Sequence, residues 1–334
     1  MKSKTAIIIG GSGYIGTNLL KHLLANNRFE HYIVMDIKPL KGFEDEISSG
    51  RLEYMFADVR KELPNLGRVL DGKESWVFNF AAVHREPGHE FREYFDTNVP
   101  GAIHINAFAE RLEIMNIFFT SSIAPYGRSM NQSTEKTNLY PETGYGISKA
   151  LAEQTHQKWL ERDKQNRRLI IVRPSVIYGP NDPGNVYRMI KALKRGTFIL
   201  PNGGKVIKAY GYVHGLIDSM LFTMDTIDEP QIIYNYAENP LVPLKEMTKI
   251  VKRKLGYSKP TLSVSTTILA FIAGVYQILV KLTGKKTDIH PVRVKKAGFP
   301  TNIKPQYLID NGFEFKYGFE KSLEHWKTVA PEDF

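Results

Sequence analysis

The run Thr5-Ala6-Ile7-Ile8-Ile9 leads straight into Gly10-Gly11-Ser12-Gly13-Tyr14-Ile15-Gly16, and a stretch with helical apolar spacing follows. A short apolar strand, a tight glycine turn and a helix, in that order, constrain the fold more than any other feature of the chain. The turn lets backbone approach a pyrophosphate, and the amides at the helix start aim at its negative charge. A glycine trio alone is weak evidence. Here Asp36 closes a second apolar run 20 residues after Gly16, where a carboxylate can accept both hydroxyls of a ribose. The expected cofactor is NAD, held by Gly10, Gly13, Tyr14, Ile15, Gly16 and Asp36. A 2′-phosphate would meet the charge of Asp36, although Lys38 leaves NADP open.

Further apolar runs at Leu52 to Ala57, Trp76 to Phe80, Asn116 to Thr120 and Leu169 to Arg173 alternate with amphipathic stretches, notably Tyr145 to Arg162. That alternation predicts an α/β fold, a Rossmann-type doubly wound parallel sheet covered by helices. After Pro174 the pattern becomes irregular. The expected division is a nucleotide-binding domain over 1–177, with later returns near 205–236, and a smaller, partly interleaved substrate lobe over 178–334. With 42% apolar residues in 334, the chain has enough for one large core or two joined ones, which excludes disordered, collagen-like and disulfide-scaffold classes. It has no Cys, which removes disulfides and thiolate chemistry and fits a cytoplasmic place. Its nine His show no metal-ligand spacing, so no metal is expected.

Tyr145 and Lys149 stand four apart, on one face of a predicted helix. A phenol with a pKa of about 10 is a poor base at neutral pH, and a neighbouring ammonium brings it toward a working range. Tyr187/Lys191 and Tyr317/Lys321 share the spacing, so spacing does not single the pair out. Context does. The helix follows a strand ending Phe119-Thr120-Ser121-Ser122, and hydroxyls at the carboxyl end of a parallel strand lie where such sheets bind ligands.

These motifs, with Ala57-Asp58-Val59-Arg60, Asn79-Phe80-Ala81-Ala82, Asn98, Ser122-Ile123-Ala124-Pro125-Tyr126-Gly127 and Arg173-Pro174-Ser175-Val176-Ile177-Tyr178-Gly179, resemble the extended short-chain dehydrogenase/reductase family of NAD-dependent sugar epimerases and dehydratases. The resemblance implies Ser122, rather than Ser121, as catalytic hydroxyl, Tyr145 as base and also a cofactor contact, and Lys149 as the cation that holds the phenolate and a cofactor ribose. It places Asp58 and Val59 among the cofactor contacts, Asp58 at the adenine, with Ala81 and Ala82 along the cofactor path and Pro174 and Val176 against the nicotinamide. Ile123 and Ala124 stand where dehydratases usually carry acids, which disfavours dehydration. The family often forms homodimers through helices equivalent to those around 95–110 and 145–162.

Ala81-Ala82-Val83-His84-Arg85, Gly184-Asn185-Val186-Tyr187, Tyr234-Asn235-Tyr236 and Val292-Arg293-Val294-Lys295-Lys296 further resemble a subgroup that epimerises C4 of N-acetylglucosamine carried on a polyprenyl diphosphate. The implied substrate is a sugar diphosphate, lipid-linked or UDP-linked, with His84, Arg85, Asn185 and Arg188 as candidate contacts. A keto-sugar reductase or dehydrogenase on the same scaffold is the competing reading.

The net charge of +10 belongs to one segment: Leu241 to Lys304 holds 13 basic and 2 acidic residues, and the rest of the chain is near neutral. Within it, Pro260 to Val280 carries no charge, and its dense apolar part falls short of the roughly 20 residues a bilayer span needs. A core helix and a helix lying in the membrane interface both fit segment 260–296, and the second implies a peripheral place on the inner face of the cytoplasmic membrane. Nucleic acid is not expected, since no recognition motif accompanies the charge.

Overall fold

The computed structural model describes residues 3–85, 88–128, 131–282 and 299–334. Seven strands form one parallel sheet: β1 (Thr5–Ile9), β2 (His31–Asp36), β3 (Leu52–Phe56), β4 (Trp76–Asn79), β5 (Asn116–Thr120), β6 (Arg168–Pro174) and β10 (Gln231–Tyr236). Three-residue strands β7 (Val176–Tyr178) and β9 (Tyr210–Tyr212) pair apart from it, as do β8 (Ile199–Pro201) and β11 (Leu262–Val264). The main sheet runs β10-β6-β5-β4-β1-β2-β3, so the order reverses between β1 and β4. A crevice opens at such a reversal beyond the carboxyl ends of the strands, and ligands bind there. This is the expected doubly wound sheet.

Every residue of β1 and β5 is buried, as a strand covered on both faces requires. On one face α1 (Tyr14–Ala25) and α6 (Val213–Thr226) set Leu19, Leu20, Leu23, Leu216 and Met220 against Ile8, Val34, Phe78 and Phe118. On the other, α3 (Phe91–Arg111) and α4 (Gly144–Glu161) set Ile105, Phe108, Ala152 and Trp159 against Ile7, Val77, Ile117 and Ile171. The short α2 (Glu44–Ser48) lies before β3. A third core gathers Tyr178, Ile190, Tyr210, Val251, Phe319 and Trp326. It draws on α5 (Asn185–Arg195), α7 (Leu244–Leu255) and the helix Gly318–Val329. Leu308, from the C-terminal part of the chain, packs in the first core beside Tyr234 of β10.

The uncharged stretch folds as α8 (Thr266–Leu282). Its apolar residues do not all enter a core: Ala273 is 3% exposed, whereas Phe271 is 73% and Ile272 55% exposed, with Ile268 and Tyr276 also open. Among the described residues no helix is long and apolar enough to cross a membrane. The basic residues Lys285, Lys286, Arg293, Lys295 and Lys296 lie outside the described residues.

Candidate active site

The glycine turn is built backbone against backbone. Gly10 has φ +77°, and a Cβ there would come within 2.6 Å of the Ala81 nitrogen. A Cβ on Gly16 would stand 2.7 Å from the Gly11 Cα, so only glycine lets α1 start this close to the turn. Gly13 is the helix N-cap; no side chain caps α1 and no acid sits in its first turn, which leaves its positive end to an anion. Asp36 accepts from the Ser12 amide at 3.0 Å and from the Lys38 amide at 2.9 Å, which sets its carboxylate beside the turn.

Asp58 is forked by Arg60, and these hydrogen bonds hold its carboxyl below the usual carboxylate range. The buried Val59 next to it receives His104 Nδ1 on its carbonyl at 2.8 Å. Ala81 and Ala82 continue from β4 beside Gly10; Pro174 ends β6 buried, and Val176 is partly exposed. At the carboxyl ends of β4, β5 and β6, the buried atoms Asn79 Oδ1, Thr120 Oγ1 and Ser175 Oγ find no hydrogen-bond partner among the described residues. Buried polar atoms are normally satisfied. An uncapped helix start, a cradle that a Cβ would fill and unspent polar atoms along the crevice together fit a dinucleotide.

The Tyr145 helix is capped by Thr143, whose Oγ1 accepts the Gly146 amide at 3.1 Å. A Cβ at Gly146 would lie 2.8 Å from the Ala124 oxygen, so the first turn of α4 packs on the bend that follows Ser122. One turn later Lys149, 2% exposed, donates to the Thr120 carbonyl at 2.6 Å and sits 4.2 Å from the centroid of the Phe119 ring. The pair is thereby pinned to the strand end that carries Ser122. Burial pushes the Lys149 ammonium down to about 7, and the charge of Glu153 opposes that fall.

The two serines differ. Ser121 is buried and donates to Glu153 Oε1, whereas Ser122 is half-buried and its Oγ accepts the Ala124 amide at 3.1 Å. Asn98 braces the neighbouring loop: it accepts the Val83 amide at 2.9 Å and donates to the Val83 carbonyl and to Ser148 Oγ. His84 and Arg85 stand on the exposed side of this loop. Loss of hydration on the side packed against the loop, with the charge of Arg85 adding to it, holds the His84 imidazole below its ordinary range although the residue stays open to solvent. Asn185 and Arg188 open α5, exposed, and bond to each other at 2.7 Å.

Sequence reasoning missed the buried polar network behind the site. Arg173 forks onto Glu153 at 3.0 and 2.6 Å and donates to the Tyr126 hydroxyl, which donates to Asn235 Oδ1. The available signal was Glu153 itself, which repeats the four-residue step from Tyr145 to Lys149.

Residues 6–237 match the family described as NAD dependent epimerase/dehydratase. The chain is 29% identical over 331 residues, 98% of its own length and 96% of the relative's, to an N-acetyl-alpha-D-glucosaminyl-diphospho-ditrans,octacis-undecaprenol 4-epimerase of Escherichia coli O157:H7. It is 24% identical over 330 residues to a UDP-glucose 4-epimerase of Vibrio cholerae, covering 93% of this chain and 94% of that one. Among solved structures, Bordetella bronchiseptica WbmG in complex with NAD and UDP superposes with a TM-score of 0.70 at 17% identity, covering 98% and 96% of the two chains.

Proposed function

Because the chain belongs to the NAD dependent epimerase/dehydratase family, we propose that it is an NAD-dependent enzyme inverting C4 of an N-acetylhexosamine on a diphosphate carrier. The carrier is a polyprenyl lipid, and the sugar pair is GlcNAc/GalNAc. One observation carries the chemistry: buried Lys149 is bonded to the carbonyl two residues before Ser122 and stands one helical turn from Tyr145. In this reading Tyr145 takes the proton of the C4 hydroxyl, Ser122 hydrogen-bonds the same oxygen, and charged Lys149 stabilises the phenolate. The glycine turn, Asp36 and the loops after β3, β4 and β6 would hold NAD, which when bound would supply the reversible hydride chemistry at C4. The 4-keto sugar turns over between the two transfers, and Tyr145 gives its proton back to the inverted oxygen.

Two observations favour the lipid carrier over UDP. The E. coli relative bears that substrate in its name and aligns along nearly the whole chain. The exposed apolar side of α8, with Ile268, Phe271, Ile272 and Tyr276, suits the acyl boundary of a bilayer, and the flanking sequence is strongly basic. The test supplies GlcNAc-diphospho-undecaprenol and UDP-GlcNAc separately and assays the C4 epimer. Conversion of the lipid-linked sugar with no net NADH signal is expected. Conversion of the UDP sugar alone rejects the lipid carrier, and stoichiometric NADH consumption makes the enzyme a reductase. Phe271→Glu with Ile272→Glu should lower sedimentation with anionic vesicles about tenfold or more; unchanged sedimentation removes α8 from the membrane.

A further inference from the structure

Tyr145, Lys149, Glu153 and His156 follow one face of α4 at steps of four, four and three, and the last three are at most 2% exposed. Titratable groups are costly to bury unless each has a partner. His156 resolves this by staying neutral: burial pushes it down to about 3, Asn79 donates to its Nε2 at 3.1 Å, and its Nδ1 meets Asn106 Oδ1 at 2.6 Å. Glu153 resolves it by pairing. Arg173 donates to both of its oxygens, and Ser121 donates to Oε1. Those two partners are the residues immediately before Ser122 and Pro174.

We propose that Glu153 is a positioning residue for the reaction, whose carboxylate fixes the strand ends carrying Ser122 and Pro174 and favours the charged form of Lys149. The proposal rests on the role given to Lys149 above. On its own helix Lys149 has Tyr145 one turn before it, Glu153 one turn after it and His156 beyond; Arg173 on β6 lies past Glu153, and His84 stands in the loop after β4. Glu153 is the one carboxylate among them, one turn from the ammonium. A buried Arg–Glu pair serving only as a brace would hold the strands and leave the titration of Lys149 alone.

That difference can be measured without substrate. Protein labelled with ¹³Cε-lysine and freed of NAD is titrated by NMR, with the Lys149 signal identified by its loss in Lys149→Met. Glu153→Gln keeps the shape and removes the charge, and the Lys149 midpoint should fall by about one unit or more. Glu153→Asp, which keeps the charge, should hold it near the parent value. If Glu153→Gln does not fold, Glu153→Gln combined with Arg173→Gln spares the guanidinium from burial without its partner, and the Lys149 midpoint should still fall, though by less, because Arg173 lies beyond Glu153 from the ammonium. An unmoved midpoint in whichever Gln variant folds overturns the proposal. The epimer assay on the same samples separates the two readings: a shifted midpoint with no epimer even from the parent fails the substrate assignment and leaves the effect of Glu153 on Lys149 standing.

Discussion

Tyr145→Phe should lower turnover by about 10³-fold while NAD binds as tightly as before. The substitution removes one oxygen. The ring stays, with its neighbour Tyr94 at 6.1 Å between centroids, and neither the Thr143 cap nor the Lys149 bond to Thr120 involves the lost hydroxyl. Nothing in the glycine turn changes, so a titration with NAD serves as the control. What disappears is the only group proposed to take and return the proton at C4. Epimer formation above about a tenth of the parent rate would reject Tyr145 as the base, since a positioned acid–base group contributes about 10²–10⁴.

Lys149→Met should abolish turnover and at the same time stabilise the NAD-free protein. The folded state lowers the Lys149 pKa from 10.5 to about 7, chiefly by burial. Between those two values the unfolded chain binds a proton that the folded chain does not, so the stability of the parent rises with pH across that window and the burial cost is largest below it. Met fills similar length without charge and loses the hydrogen bond to Thr120, worth about 1–2 kcal/mol. A net gain of about 2 kcal/mol is expected at and below neutral pH, shrinking as pH climbs toward the unfolded pKa. Thermal unfolding followed from about pH 6 to about pH 10 checks it. A gap between parent and variant that stays constant with pH would mean that Lys149 is not buried as a cation. A charge retained at such a cost fits the role proposed for Lys149, in which stability is traded for chemistry.

Much of this arrangement follows from local rules. The strand–glycine–helix unit and Asp36 were legible because a turn that demands φ above zero and an apolar run that ends in one carboxylate are properties of adjacent residues. The six strands read from apolar runs all appear, with ends displaced by one residue at most. Long-range pairings were not legible. Glu153 meets Arg173 across 20 residues and Ser121 across 32, and no spacing announces such a contact. The neighbours Ser121 and Ser122 are alike in sequence and became distinct once one was bonded to Glu153. The face of α8 was equally hidden, because a stretch apolar all round has no period to separate core from surface. β10 closes the sheet after an irregular stretch whose glycines and prolines hide any strand period.

The two amide bonds on Asp36 have a consequence for engineering. Its carboxylate holds the Ser12 amide inside the glycine turn and the Lys38 amide beyond β2. A designer who removes that charge to admit a phosphorylated ribose therefore also unties the turn proposed to receive the diphosphate. Cofactor preference and cofactor affinity are coupled at this position. A swap here calls for compensating anchors for both amides, or a residue that keeps an acceptor oxygen in place while giving up the charge.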